Sequence, residues 1–179
     1  MGTTNLLGIC GSLRTNSRNR GLLRCAQQVM PAGASLEIFD ISSFPFYSEE
    51  LKKPECIETF IDRIKTASGF VMAVPEYNYS IAPALKNALD WMSREPREIF
   101  SGKPAAIMGA GGGMGTARAQ YHLRQVCVYL DLRVLNKPEI FSNAFSPAFD
   151  ARGDVADTSE GSALRNSIAE LMENLVQRC

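Results

Sequence analysis

The sequence predicts an α/β domain in which one parallel sheet is layered between helices, and three observations lead to it. Short apolar runs of strand length alternate with segments of helical period, the sign of βαβ units. The 179 residues, 45% hydrophobic and 21% charged, suit a single domain (1–179) with a full core. Irregular chain is concentrated in three loops that each follow a strand, where open α/β sheets bind ligands.

The elements follow in order. Leu6 to Cys10 reads as the first strand, and Leu22, Ala26 and Val29 space the first helix at three-to-four-residue intervals. Leu36 to Phe39 is a second strand, followed by a helix on Ile57, Ile61 and Ile64. Phe70 to Val74 is a third strand, and Leu85, Leu89 and Met92 mark a helix opened by Pro83, a residue suited to the first turn. Ala105 to Met108 is a fourth strand, leading to a helix that carries Arg118, Gln120 and His122. A fifth strand is expected around Arg133 to Leu135, and a last helix on Leu164, Ile168, Leu171 and Leu175. The polar stretch Asp150 to Ser162 reads as a surface connection.

Composition excludes several functions. Lys plus Arg and Asp plus Glu both number 19, so no charge surplus favours nucleic acid or an anionic membrane. Five scattered cysteines (Cys10, Cys25, Cys56, Cys127, Cys179) without a Cys-x-x-Cys pair argue against a disulfide framework or a metal site, and for a reducing, cytoplasmic setting. Leu6 to Cys10 is too short for a signal peptide or a membrane span, and the sequon Asn78-Tyr79-Ser80 is taken as accidental.

The first loop, Gly11 to Asn19, packs Ser12, Arg14, Ser17, Arg18 and Asn19 at the start of a helix. Unpaired N–H groups there carry partial positive charge, and hydroxyl, amide and guanidinium donors complete a grip for phosphate. Ser17 or Asn19 could equally be a simple helix cap. No Walker sequence occurs, and the position six residues after Cys10, where a phosphatase of this architecture needs arginine, holds Asn16.

The second loop, Pro75-Glu76-Tyr77-Asn78-Tyr79-Ser80, offers aromatic faces and an amide to a planar heterocycle, although the tyrosines could also pack on neighbouring helices. The third, Gly109 to Thr116, has five glycines in seven residues. Such a run is justified where backbone must approach a ligand closely or take positive φ; a plain hinge is the alternative. It is not a Gly-x-Gly-x-x-Gly fingerprint, because Met114 and Thr116 stand where the final glycine would fall.

Taken together, Gly11-Ser12-Leu13-Arg14 with Ser17 and Asn19, Pro75-Glu76-Tyr77-Asn78 with Leu85-Lys86-Asn87-Ala88-Leu89-Asp90-Trp91, and Gly111 to Gly113 with Arg118-Ala119-Gln120 resemble the NADPH-dependent FMN reductase family over residues 4 to 135. The resemblance implies a flavodoxin-like three-layer sandwich with a five-stranded parallel sheet in the order 2-1-3-4-5. It implies that Gly11, Ser12, Arg14, Ser17 and Asn19 hold the FMN phosphate, that Pro75, Glu76, Tyr77 and Asn78 line the phosphate and the isoalloxazine edge, and that Gly111, Gly112 and Gly113 lie beneath the ring's far side. Where relatives commonly have Pro-Gly after the second loop, this chain has Ala82-Pro83.

Chemistry in such a protein comes from the flavin, so no catalytic side chain is assigned. NADPH or NADH would reduce FMN, and a quinone, azo compound, chromate or free flavin would then be reduced, in ping-pong order. Arg14 and Arg18 are candidate partners for a 2′-phosphate. His122, the single histidine, sits within a helix and reads as structural or as a subunit contact. The resemblance implies a homodimer or homotetramer, for which the helix Leu85 to Met92 with Trp91 and Tyr121 are candidate contacts, ordinary core packing being an equally good account of them. The competing class is a flavodoxin-like electron carrier, against which the balanced charge argues. The segment after Phe141, with Phe145-Ser146-Pro147-Ala148-Phe149, is a lid or a subunit contact.

Overall fold

The computed structural model describes residues 3–179. The first strand, β1 (Thr4–Cys10), pairs in parallel with both β2 (Ala34–Phe39) and β3 (Gly69–Ala73), and β3 pairs with β6 (Pro104–Gly111). The strand order is β2-β1-β3-β6-β7, with β7 at Arg133–Val134. β3 and the end of β1 are buried on both faces, which is why they read as unbroken apolar runs.

The fifth strand departs from expectation, being divided in two. β7 pairs with the start of β6 (Pro104↔Arg133), whereas β8 (Ile140–Asn143) pairs with its end (Met108↔Ile140 to Gly111↔Asn143). Between them lies Pro138, which has no N–H to give to a ladder. The sheet therefore has six strands rather than five.

Helices cover both faces. α1 (Arg18–Gln28) and α5 (Ser159–Val176) lie on one side, burying Leu22, Leu23, Ile168 and Leu171 with Leu6, Val71 and Met108. α2 (Glu55–Thr66), α3 (Pro83–Met92) and α4 (Ala117–Tyr129) lie on the other, around Phe60, Phe70, Leu89 and Leu123. Val29 is the C-cap of α1 rather than a member of it, and Pro83 opens α3 as expected. α2 has Glu55 and Glu58 in its first turn and Arg63 and Lys65 in its last, matching the helix dipole.

At the periphery, one open choice is decided and one expectation changes. Trp91 is a core residue, 3% exposed, donating from Nε1 to Pro45 O at 2.9 Å, so it offers nothing to a neighbouring subunit. The stretch from Asp150 is only partly a connection: Ser159 already begins α5, capped by Thr158, whose Oγ1 accepts from Gly161 N at 3.0 Å. Its earlier half packs along α1, where Arg24 Nε, in the middle of the helix, donates to Asp154 Oδ1 at 2.5 Å. A Cβ on Gly21 would stand 1.9 Å from Gly153 O, so only glycine allows that approach.

Candidate active site

All three loops emerge at the carboxyl ends of β1, β3 and β6, and the structure binds them to one another. Gly11 N donates to Ala73 O at 2.9 Å, and a Cβ on Gly11 would meet Pro75 Cδ at 2.8 Å. The first and second loops thus touch at a point where a side chain is sterically excluded. Ser12 is buried at 2% exposure, and Ser17 is the N-cap of α1, accepting from Arg20 N at 3.4 Å. Loop Gly11 to Asn19 contains no acidic side chain, and the buried Nε atoms of Arg18 and Arg20 have no hydrogen-bond partner among the described residues. Arg20 meets an anion through Nη2, 3.6 Å from Asp40 Oδ1, whereas the Nε of Arg18 is an orphaned donor beside a helix N-terminus, a poor arrangement without an anion and a good one with it.

Asn19 does something the sequence did not disclose. Its Nδ2 donates to Ala110 O and its Oδ1 accepts from Ala110 N, both at 2.9 Å, across 91 residues. The side chain is 5% exposed and clamps the first loop to the end of β6. One of its two Nδ2 hydrogens and its Oδ1 are thus taken by Ala110, which leaves the second Nδ2 hydrogen and the backbone N–H near the helix start for an anion.

The second loop is not irregular chain but a hairpin, β4 (Glu76–Tyr77) against β5 (Ser80–Ile81). Its two central residues both have left-handed backbone, Asn78 at φ 49° and Tyr79 at φ 66°, the geometry of a type I′ turn. Asparagine tolerates this, whereas tyrosine is strained there. Arg118 compensates: its guanidinium carbon lies 3.7 Å from the Tyr79 ring centre. Arg118 Nε also donates to Glu76 Oε1 at 2.6 Å, while Glu76 Oε2 accepts from Ala119 N at 3.2 Å. Glu76 thereby supplies the cap that Thr116 does not give to α4. Its carboxylate is occupied within the protein, so Glu76 can face a ligand only through its main chain.

The glycines of the third loop serve two ends. A Cβ on Gly109 would lie 1.9 Å from Thr116 Oγ1, and one on Gly111 would lie 2.1 Å from Gly115 O, so these positions close a tight internal turn. Around Gly112 and Gly113 nothing stands within 4 Å, leaving bare main chain open to a ligand. Beneath them Gln120 Nε2 donates to Thr116 Oγ1 at 3.0 Å and to Ile140 O at 2.9 Å, pinning the loop to β8. Arg118 and Gln120, which the sequence marks only as members of the motif, and Thr116 thus organise the site; the signal in the sequence is Thr116 and Gln120, two polar residues at helical spacing after a glycine run.

A cleft of about 490 Å³ joins the first and second loops to the chain after β2, with Gly11, Arg14 and Tyr77 in its lining beside Leu13, Phe44 and Phe46. A second cleft, about 520 Å³, runs between α3 and α4 and contains none of the grip residues. His122 lines it, with Nδ1 3.1 Å from Ser80 Oγ. The five cysteines are free thiols. Burial pushes the Cys10 thiol up, and that of Cys127 up to about 12, the opposite of what a nucleophile requires. No group of side chains suited to a metal ion occurs among the described residues, nor does any helix long and apolar enough to cross a membrane.

A parallel sheet in the order β2-β1-β3-β6-β7, with three loops gathered at one end of it and open glycine backbone after β6, defines a flavodoxin-like protein. Comparison with known proteins then gives the family. The model for NADPH-dependent FMN reductase matches residues 4–146, and the chain belongs to that family. It is 48% identical over 170 residues to an NAD(P)H-dependent FMN reductase of Pseudomonas aeruginosa, covering 93% of this chain and 92% of that one. It is 47% identical over 167 residues to an NAD(P)H:quinone oxidoreductase of Solanum tuberosum, covering 88% and 86%. Among solved structures it resembles the flavoenzyme NAD(P)H:(acceptor) oxidoreductase FerB of Paracoccus denitrificans, with TM-score 0.81, 27% identity and coverage of 96% and 98%.

Proposed function

We propose that this chain is an FMN-dependent NAD(P)H oxidoreductase whose acceptors are quinones and related compounds. The observation that carries the reading is the set of three loops tied together at one sheet end, with the unpartnered Arg18 Nε at the helix start on one side and bare glycine backbone on the other. That arrangement fits a ligand with an anionic end and a flat polar ring, which is FMN.

FMN, when bound, would supply the two-electron chemistry that links NAD(P)H to an acceptor, a quinone taking up two electrons and two protons in all. The chain binds and orients. Ser12, Arg14 and Ser17 face the phosphate, joined by N–H groups at the start of α1 and by Arg18. The main chain of Pro75 to Asn78 meets the ring edge, and Gly111, Gly112 and Gly113 let the backbone approach the ring. Asn19, Glu76, Arg118 and Gln120 hold these loops in place before any ligand arrives, which lowers the ordering cost of binding.

Other acceptor classes, azo compounds, chromate and free flavin, belong to the same reading. So do a single domain over 1–179, a reducing cytoplasmic setting suited to free thiols, and a homodimer or homotetramer. The α3–α4 cleft, with His122 in its wall and Tyr129 and Val128 exposed on α4, suits a subunit contact.

The test is an anaerobic titration of FMN-reconstituted protein with NADPH and separately NADH. Bleaching of the oxidised flavin band is the expected result and ranks the donors. Flavin that binds yet resists both donors would make the chain an electron carrier, and failure to bind FMN would refute the reading.

A further inference from the structure

The chain between β2 and α2 passes the same sheet end as the three loops, yet no part of the flavin grip accounts for how it is built. Phe44 packs inward on Phe60, with ring centres 5.2 Å apart, and Tyr47 packs edge-on against Trp91 at 5.1 Å. Asn87 holds the main chain between these two anchors: its Nδ2 donates to Pro45 O at 2.9 Å, and its Oδ1 accepts from Tyr47 N at 2.8 Å. Trp91 Nε1 adds a second donor to Pro45 O at 2.9 Å. The one residue left between the pinned positions is Phe46, and it is 79% exposed.

A lone exposed phenylalanine on a mobile loop needs no explanation. Here the backbone on both sides is fixed by three hydrogen bonds and two aromatic anchors, so the exposure is imposed by the fold. Phe46 forms one wall of the cleft of about 490 Å³ whose other walls include Leu13, Arg14 and Tyr77 from the grip loops. The cleft is mainly apolar, with Arg14 and Asn87 as its principal polar side chains. A flat, uncharged aromatic ring gains from such walls, whereas a hydrated oxyanion gains nothing from a phenyl face.

Resting on the function proposed above, we infer that Phe46 is the residue that selects planar quinones over small hydrophilic acceptors, by stacking against the quinone in this cleft. Phe46 is then a binding and specificity residue, and Asn87 positions it.

Two measurements test this. The first is the dissociation constant of tetramethyl-1,4-benzoquinone for the oxidised FMN-loaded protein, by calorimetry; an oxidised flavin has no electrons to give, and a fully substituted quinone does not alkylate the free thiols. The second uses photoreduced flavin, so that no nicotinamide is involved, and takes the ratio of reoxidation rates by that quinone and by ferricyanide, two equivalents of which accept the same two electrons. Phe46→Ala should weaken quinone binding and lower the rate ratio by about tenfold each, the loss of one stacked aromatic contact. Phe46→Tyr should restore both.

Unchanged quinone affinity and an unchanged ratio would overturn the inference. So would a fall in quinone and ferricyanide rates together, or a matching loss of FMN affinity, since either would make Phe46 a part of the flavin site. Wild-type protein that binds no FMN would overturn the parent function and this inference with it, and that failure shows before any variant is made.

Discussion

Replacing Asn19 by alanine separates two roles that the sequence could not tell apart. If its amide is a clamp, Asn19→Ala leaves Ala110 N–H and C=O without partners at a site 5% exposed. Each buried unsatisfied group costs about 1–3 kcal/mol, so a loss of roughly 3 kcal/mol in the flavin-free protein is expected. Against a total of roughly 5–15 kcal/mol that is large, and with a urea slope of about 2 kcal/mol/M the midpoint should fall by about 1.5 M. The assay is urea unfolding of flavin-free protein beside a fluorescence titration with FMN. An unchanged urea midpoint with FMN affinity lost a hundredfold or more would refute the clamp and make Asn19 a phosphate ligand.

Further outcomes are expected. Ser12→Ala should leave the urea midpoint of the flavin-free protein nearly unchanged and weaken FMN about tenfold or more, a hydrogen bond to a charged phosphate being worth about 1.5–3 kcal/mol, as flavin fluorescence would record. Arg118→Ala removes both the partner of the Glu76 carboxylate and the support under Tyr79, and thermal unfolding should show a loss of about 2 kcal/mol; adding Tyr79→Gly should recover part of it by relieving the left-handed strain at φ 66°. Cys127, pushed up from 9.0 to about 12, should be alkylated at pH 9 several hundredfold more slowly than a free thiol, as peptide mapping would record. Because the folded value is the raised one, Cys127 costs no stability below pH about 9 and withdraws it as pH climbs toward about 12, so Cys127→Ala should flatten the alkaline limb of stability against pH.

The layered sheet and the loops were legible because buried strands and helical periods leave strong local patterns. Leu6 to Cys10 and Phe70 to Val74 fall within a residue or two of β1 and β3. What stayed hidden was pairing across distance. Nothing local distinguishes an asparagine that grips phosphate from one that grips Ala110, 91 residues away, or a glutamate that meets a ligand from one that caps α4. The hairpin at Glu76 to Ile81 was obscured because its turn uses Asn78 and Tyr79 rather than the Asn-Gly that signals it. In the Phe44 to Tyr47 segment, three aromatics around a proline just beyond a strand are a visible signal, but which of them packs inward and which is exposed depends on Phe60, Asn87 and Trp91, far along the chain.

The division of the last strand has a consequence for how these molecules meet. A long flat margin on a parallel sheet is a template on which a second chain can add itself strand to strand. Here that margin offers two residues of β7 and four of β8, interrupted by Pro138, with Lys137 and Glu139 as charged flanks on either side of it. An incoming strand would find neither a continuous row of donors nor an uncharged approach. Association at this side is thereby steered to helices and side chains, and the molecule is guarded against growing into fibres along its own sheet.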